Sequence, residues 1–75
     1  MDRQMERQVL NIADMTFSAQ RLIEKTLGKL KGIENVSVNL ISGKVFIEFD
    51  GAEISPSQIK KTLGDAGFES FESLQ

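Results

Sequence analysis

Apolar and polar positions alternate along three short stretches of the chain and recur at helical spacing along two others. Val9-Leu10-Asn11-Ile12-Ala13 reads as a strand in which Leu10 and Ile12 share one face. Asp14-Met15-Thr16 interrupts the alternation, and Thr16 or Ser18 is suited to cap a following helix. From Phe17 to Lys31 the period becomes helical. Ala19, Ile23, Leu27 and Leu30 form one apolar stripe with Leu22 on its flank, and Gly32 is the expected stop. Val36, Val38 and Leu40 then alternate with Asn35, Ser37 and Asn39, which predicts a half-buried strand. Ser42-Gly43 marks a hairpin turn, and Val45, Ile47 and Phe49 alternate with Phe46, Glu48 and Asp50 in a third strand.

The second helix announces itself through its first residues. Ser55-Pro56-Ser57-Gln58 combines an N-cap serine, a proline at the first helical position and a glutamine placed to complete a capping box. Ile59, Leu63 and Ala66 supply its apolar face and Gly67 its terminator, after which Phe68-Glu69-Ser70-Phe71 reads as a short last strand. An internal echo supports this β-α-β-β-α-β order: Ile23-Glu24-Lys25-Thr26-Leu27-Gly28 recurs as Ile59-Lys60-Lys61-Thr62-Leu63-Gly64. Two equivalent halves predict an α+β sandwich, a four-stranded antiparallel sheet with both helices on one face. The expected division is a flexible polar leader over 1–8, one domain over 9–72 and a short tail over 73–75. Whether Gly28 and Gly64 allow close packing or end their helices is open at this level.

Composition narrows the chemistry. The 75 residues contain no cysteine, histidine, tryptophan or tyrosine. Disulfides are thereby excluded, and so are the side chains that build most zinc, copper and iron–sulfur sites. Ser18, Ser37, Ser42 and Ser55 have no histidine to activate them, and the glycines form no phosphate-cradling loop, so no enzyme is expected. A net charge of −2 argues against a dedicated nucleic-acid binder. The apolar runs are too short to span a bilayer, and the polar start lacks a signal-peptide core; a cytoplasmic protein is expected.

These segments resemble the heavy-metal-associated domain family of small copper chaperones, mercury-binding proteins and amino-terminal modules of metal-transporting P-type ATPases. The resemblance runs from Leu10 to Glu69. It is carried by Leu10-Asn11-Ile12-Ala13-Asp14-Met15-Thr16, by Gly32-Ile33-Glu34-Asn35-Val36-Ser37-Val38-Asn39-Leu40, by Lys44-Val45 and Phe49-Asp50, and by Ala66-Gly67-Phe68-Glu69. It implies a ferredoxin-like fold. The family holds Cu(I), Zn(II) or Hg(II) through Met-Thr-Cys-X-X-Cys. Here the matching stretch reads Met15-Thr16-Phe17-Ser18-Ala19-Gln20, with Phe17 and Gln20 at the cysteine positions and Asp14 at the usual glycine. A phenyl ring offers these ions no ligand and a glutamine amide is a hard, neutral one, so no metal cofactor is expected.

Other donors are weaker candidates. The resemblance implies that Met15 packs beneath the loop. A three-methionine Cu(I) site of Met1, Met5 and Met15 is conceivable but disfavoured, and Glu48, Asp50 and Glu53 lack calcium-loop spacing. Phe17 has two readings: it folds inward to fill the vacated site, or it stays exposed beside Phe68 as a docking patch. Arg21, Lys25 and Lys29, spaced by four, are a solvated face or a steering surface for an acidic partner. RNA-recognition domains share the element order, and Gly43-Lys44-Val45-Phe46-Ile47-Glu48-Phe49 is distantly similar to their third-strand motif. One aromatic beside Glu48 and Asp50 is nonetheless a poor stacking platform, so no nucleic-acid partner is expected.

The expected function is therefore a family domain of a metal-handling system that has lost its thiolates and acts by docking or regulation. Its expected partner is a metal-transporting P-type ATPase or another domain of the family. Two alternatives stand beside it: a scaffold turned to an unrelated interaction or self-association, and a metal carrier whose cysteines have been replaced. A monomer is slightly favoured.

Overall fold

The computed structural model describes residues 4–72. Six elements follow in the expected order: β1 Met5–Ile12, α1 Phe17–Gly28, β2 Ile33–Asn39, β3 Lys44–Asp50, α2 Pro56–Asp65 and β4 Ser70–Glu72. The strands form one antiparallel sheet in the order β2-β3-β1-β4, and the two helices cover one face of it, the ferredoxin-like sandwich. One parity of each central strand supplies the core: Leu10 and Ile12 from β1, and Val45, Ile47 and Phe49 from β3. Ile23 and Leu27 of α1, Ile59 and Leu63 of α2, and Ile54 close it from above. These are the positions that the period-two and period-3.6 patterns select.

The termini of α2 match their sequence signals bond for bond. Ser55 Oγ accepts from the Gln58 backbone N–H at 3.3 Å while Gln58 Oε1 accepts from the Ser55 N–H at 3.1 Å, completing the capping box. At the other end the Phe68 N–H donates to the Leu63 carbonyl at 2.9 Å and the Gly67 N–H to the Gly64 carbonyl at 3.0 Å. With Gly67 at φ 95°, this is a Schellman closure. Because the Phe68 N–H is spent there, β4 starts at Ser70 rather than at Phe68.

Four further boundaries differ from the sequence expectation. Strand β1 begins at Met5, so residues 5–8 of the expected flexible leader are ladder; residues 1–3, and the expected tail over 73–75, lie outside the described residues. Met5 to Gln8 pair with Asp50 to Ile47, and Gly51 donates to the Gln4 carbonyl at 2.7 Å, so the partner strand imposes the conformation that polar side chains do not advertise. Helix α1 ends at Gly28 rather than Lys31, closed by a Leu30 N–H to Leu27 carbonyl bond at 3.0 Å. Gly32 lies beyond it at φ 99°, where an added Cβ would sit 2.9 Å from Ile54 Cγ2. Strand β2 starts at Ile33 and stops at Asn39, so Leu40 falls in the hairpin loop: Asn39 Oδ1 accepts from the Ile41 and Ser42 N–H groups, each at 3.0 Å. Gly28 and Gly64 have nothing within 4 Å of an added Cβ, so neither exists to admit a close neighbour.

Candidate functional site

The end of the sandwich where β1 runs into α1 holds the residues singled out above. Strand β1 leaves the sheet at Ile12, whose N–H donates to the Gly43 carbonyl at 2.9 Å and so ties the loop to the β2–β3 hairpin. Asp14 then adopts φ 57°, a left-handed turn that glycine takes freely and that aspartate tolerates better than most residues. Met15 turns back and packs, half-buried, against the core. Thr16 is the N-cap of α1: it is extended, and its Oγ1 accepts from the Ala19 N–H at 3.1 Å. The Gln20 N–H donates to the Thr16 carbonyl at 2.9 Å, which starts the helix.

Phe17 is the first residue of α1 and is 62% exposed. The inward placement is thereby corrected. Six residues before the core residue Ile23, Phe17 stands roughly 120° around the helix from the buried stripe, too far to turn into the sandwich. The Arg21 guanidinium carbon lies 6.0 Å from its ring centroid, at the outer limit of a cation–π contact. Gln20, half-buried, reaches along the helix to Glu24 Oε2 at 3.5 Å. Phe68 is half-buried and packed on the core, consistent with local packing. Arg21, Lys25 and Lys29 are exposed and form no ion pair among the described residues, with Lys29 at the C-cap rather than inside α1.

The alternative donor sets do not assemble. Met5 opens β1 and Met15 lies past its other end, and the eight residues from Met5 to Ile12 alone span about 24 Å; Met1 lies outside the described residues. Asp50 is buried and caps its own turn, its Oδ1 accepting from the Ala52 N–H at 2.9 Å and the Gln4 N–H at 3.3 Å. Glu53 pairs with Lys31 at 3.4 Å, while Glu48 accepts from Asn35 Nδ2 at 3.4 Å. Each carboxylate is thus directed to a different partner. Around the loop itself, a phenyl ring and an amide engaged with Glu24 do not fit a soft ion.

Two features escaped the sequence reading. Ile41, at the tip of the hairpin on the same end as Phe17, is 99% exposed, with Leu40 beside it also exposed. An isoleucine directly before Ser42-Gly43 was the available signal, because a turn rarely selects a β-branched apolar residue. Gln8 is 9% exposed and directed to the core side of β1, and neither its Oε1 nor its Nε2 has a partner among the described residues. No helix of the described residues is long and apolar enough to cross a membrane.

Comparison with known proteins sharpens this picture. A sequence model of the heavy-metal-associated domain matches residues 18–69, beginning one residue past Phe17. The copper chaperone CopZ of Staphylococcus aureus is 27% identical over 66 residues, covering 87% of this chain and 97% of the chaperone. The N-terminal domain of a potential copper-translocating P-type ATPase from Bacillus subtilis, solved in its Cu(I)-loaded state, superposes with a TM-score of 0.83 at 30% identity, covering 91% of this chain and 86% of that one. Oxidized MerP from Ralstonia metallidurans shares the fold with a TM-score of 0.86 at 21% identity, over 93% of this chain and 99% of that one.

Proposed function

The chain belongs to the heavy-metal-associated domain family, and from this we propose that it acts in heavy-metal handling as a docking or regulatory domain that carries no soft metal at its first loop. The observation that carries the reading is Phe17. It stands at the first helical position, exposed, where the resemblance puts the first thiolate, on a loop whose turn, cap and hairpin tie are all intact. An apolar knob with Arg21 one turn along the helix, and Lys25 and Lys29 following towards its far end, has the composition of a small interface with a charged margin that can steer a partner. The proposed partner is the amino-terminal domain of a metal-transporting P-type ATPase or another domain of the same family; the similarity to the ATPase domain and the chaperone supports that choice. The proposed setting is the cytoplasm. No catalytic role is proposed.

The test is a titration of the isotope-labelled chain with the amino-terminal domain of a copper-translocating ATPase, followed by nuclear magnetic resonance. Shifts should gather at Phe17, Arg21 and the Gly67–Phe68 turn, and Phe17→Ser should abolish them. Reversing charge in a Lys25→Glu/Lys29→Glu variant should slow association and flatten its salt dependence. Saturation with unchanged resonances around the loop would refute the docking surface. Submicromolar binding of Cu(I), Zn(II) or Hg(II) at unit stoichiometry, in competition with a chromophoric chelator, would refute the metal-free reading.

A further inference from the structure

The helices cover one face of the sheet, and the other face is open. Its residues are the outward parity of the four strands: Met5, Arg7, Val9 and Asn11 on β1, and Lys44, Phe46 and Glu48 on β3. Asn35, Ser37 and Asn39 of β2 and Phe71 of β4 complete it. The register sorts them into cross-strand rows. Val9 faces Phe46, which faces Ser37, and this row crosses the middle of the sheet. On one side lies the row Phe71, Asn11, Lys44, Asn39; on the other lies Arg7, Glu48, Asn35. The Arg7 guanidinium carbon sits 5.4 Å from the Phe46 ring centroid, so Arg7 is already engaged within its own chain. Lys44 and Glu48 form no ion pair among the described residues.

We propose that this open face is the surface on which two copies of the chain associate, around a two-fold axis that crosses the strands at Phe46. Such an axis lies between the two facing sheets and reverses each strand along its length. Phe46 then meets Phe46 of the second copy, and Val9 meets Val9. The residue two positions before Phe46 on β3 meets the residue two positions after it, so Lys44 of each copy opposes Glu48 of the other. Opposite signs placed symmetrically about a central aromatic are what a self-complementary interface requires. The twist of each sheet is compatible with this, since facing sheets pack with their strands nearly aligned.

A single-stranded nucleic acid is the competing occupant of such a face, and the charges argue against it. The net charge is −2, Glu48 flanks the central aromatic, and no second aromatic shares the Val9–Phe46 row. The size of the face sets the strength. Four strands about 4.8 Å apart and roughly 20 Å of strand length form a patch smaller than the usual 800 Å² per partner. The association is therefore weak and reversible.

Sedimentation equilibrium and concentration-dependent resonance shifts of the full chain test this together. A monomer–dimer equilibrium is expected, with shifts confined to the outward residues of β1 and β3. Phe46→Ser should weaken it by at least tenfold while the circular dichroism of the fold persists. Lys44→Glu and Glu48→Lys should each weaken it, and the Lys44→Glu/Glu48→Lys double variant should recover it, because the swapped charges meet again across the axis. A chain that stays monomeric at millimolar concentration overturns the proposal, as does a dimer whose shifts lie on the helices. Absence of recovery in the double variant overturns the axis. Binding of an oligo-dT strand with shifts at Phe46, in place of self-association, assigns the face to nucleic acid and overturns it too.

Discussion

Gln8 provides the sharpest test of the packing. Its carboxamide is on the core side of β1, directly opposite Ile47 and two residues before Leu10, and both of its polar atoms lack a partner among the described residues. An amide withdrawn from water without compensation costs about 1–3 kcal/mol. Methionine is unbranched like glutamine and close to it in volume, so Gln8→Met removes the two polar atoms without opening a cavity or forcing the neighbours apart. The variant should be more stable by about 1–3 kcal/mol, which corresponds to roughly 4–24 °C in melting temperature for a domain of this size. The chain has neither tryptophan nor tyrosine, so unfolding is best followed by far-ultraviolet circular dichroism in urea and on heating. The midpoint should rise with the urea m-value unchanged, since no additional surface is exposed. An unchanged or lowered midpoint would refute the reasoning, because it would mean that the carboxamide is satisfied in the folded state. Gln8→Glu is the companion variant: a carboxylate at that position should destabilise by more than the methionine stabilises.

Three other variants probe the elements and the loop. Gly64→Ala should stabilise by about 0.4–1 kcal/mol, because position 64 is helical and an added methyl meets nothing within 4 Å; a loss in urea denaturation would mean that α2 needs glycine there. Gly43→Ala should destabilise by about 1–3 kcal/mol, because position 43 holds φ 77° and the new Cβ would lie 2.8 Å from the Ile12 carbonyl oxygen. Near-neutral stability would show that the tie between the hairpin and the β1–α1 loop is dispensable. The Phe17→Cys/Gln20→Cys double variant places two thiols one helical turn apart, with Cβ atoms about 5–6 Å from each other, and should bind Cu(I) or Hg(II) tightly. No gain over the parent chain in chelator competition would show that the loop has drifted from a metal-competent shape.

Elements whose boundaries are set by neighbouring residues were legible, and those set by distant ones were not. Helix α2 could be read almost to the residue, since Ser55, Pro56, Gln58 and Gly67 act within a turn of where they stand. The first half of β1 was missed because Glu6, Arg7 and Gln8 show no strand-like pattern; their conformation comes from pairing with β3, some forty residues away in sequence. Leu40 was misread because alternation counts side chains, whereas the turn is made by the Asn39 carboxamide. At the β1–α1 loop the cap at Thr16 was legible from its own residue type. The direction of Phe17 was legible too, had its angle from Ile23 been carried round the helix. Ile41 was invisible to a search for chemistry, because it has none to offer except exposure.

The β1–α1 loop is built by Asp14 in its left-handed turn, the Thr16 cap and the Ile12–Gly43 bond, and none of these involves a metal ion. Under the metal-free proposal its shape is therefore the same in a cell rich in copper and in one starved of it. In a carrier, occupancy of the loop reports metal supply. Under the docking proposal this chain reports only its own abundance: every copy occupies a receptor that delivers nothing, and its effect on metal flux scales with expression rather than with the metal. It would then act as a constant brake on traffic rather than as a vehicle.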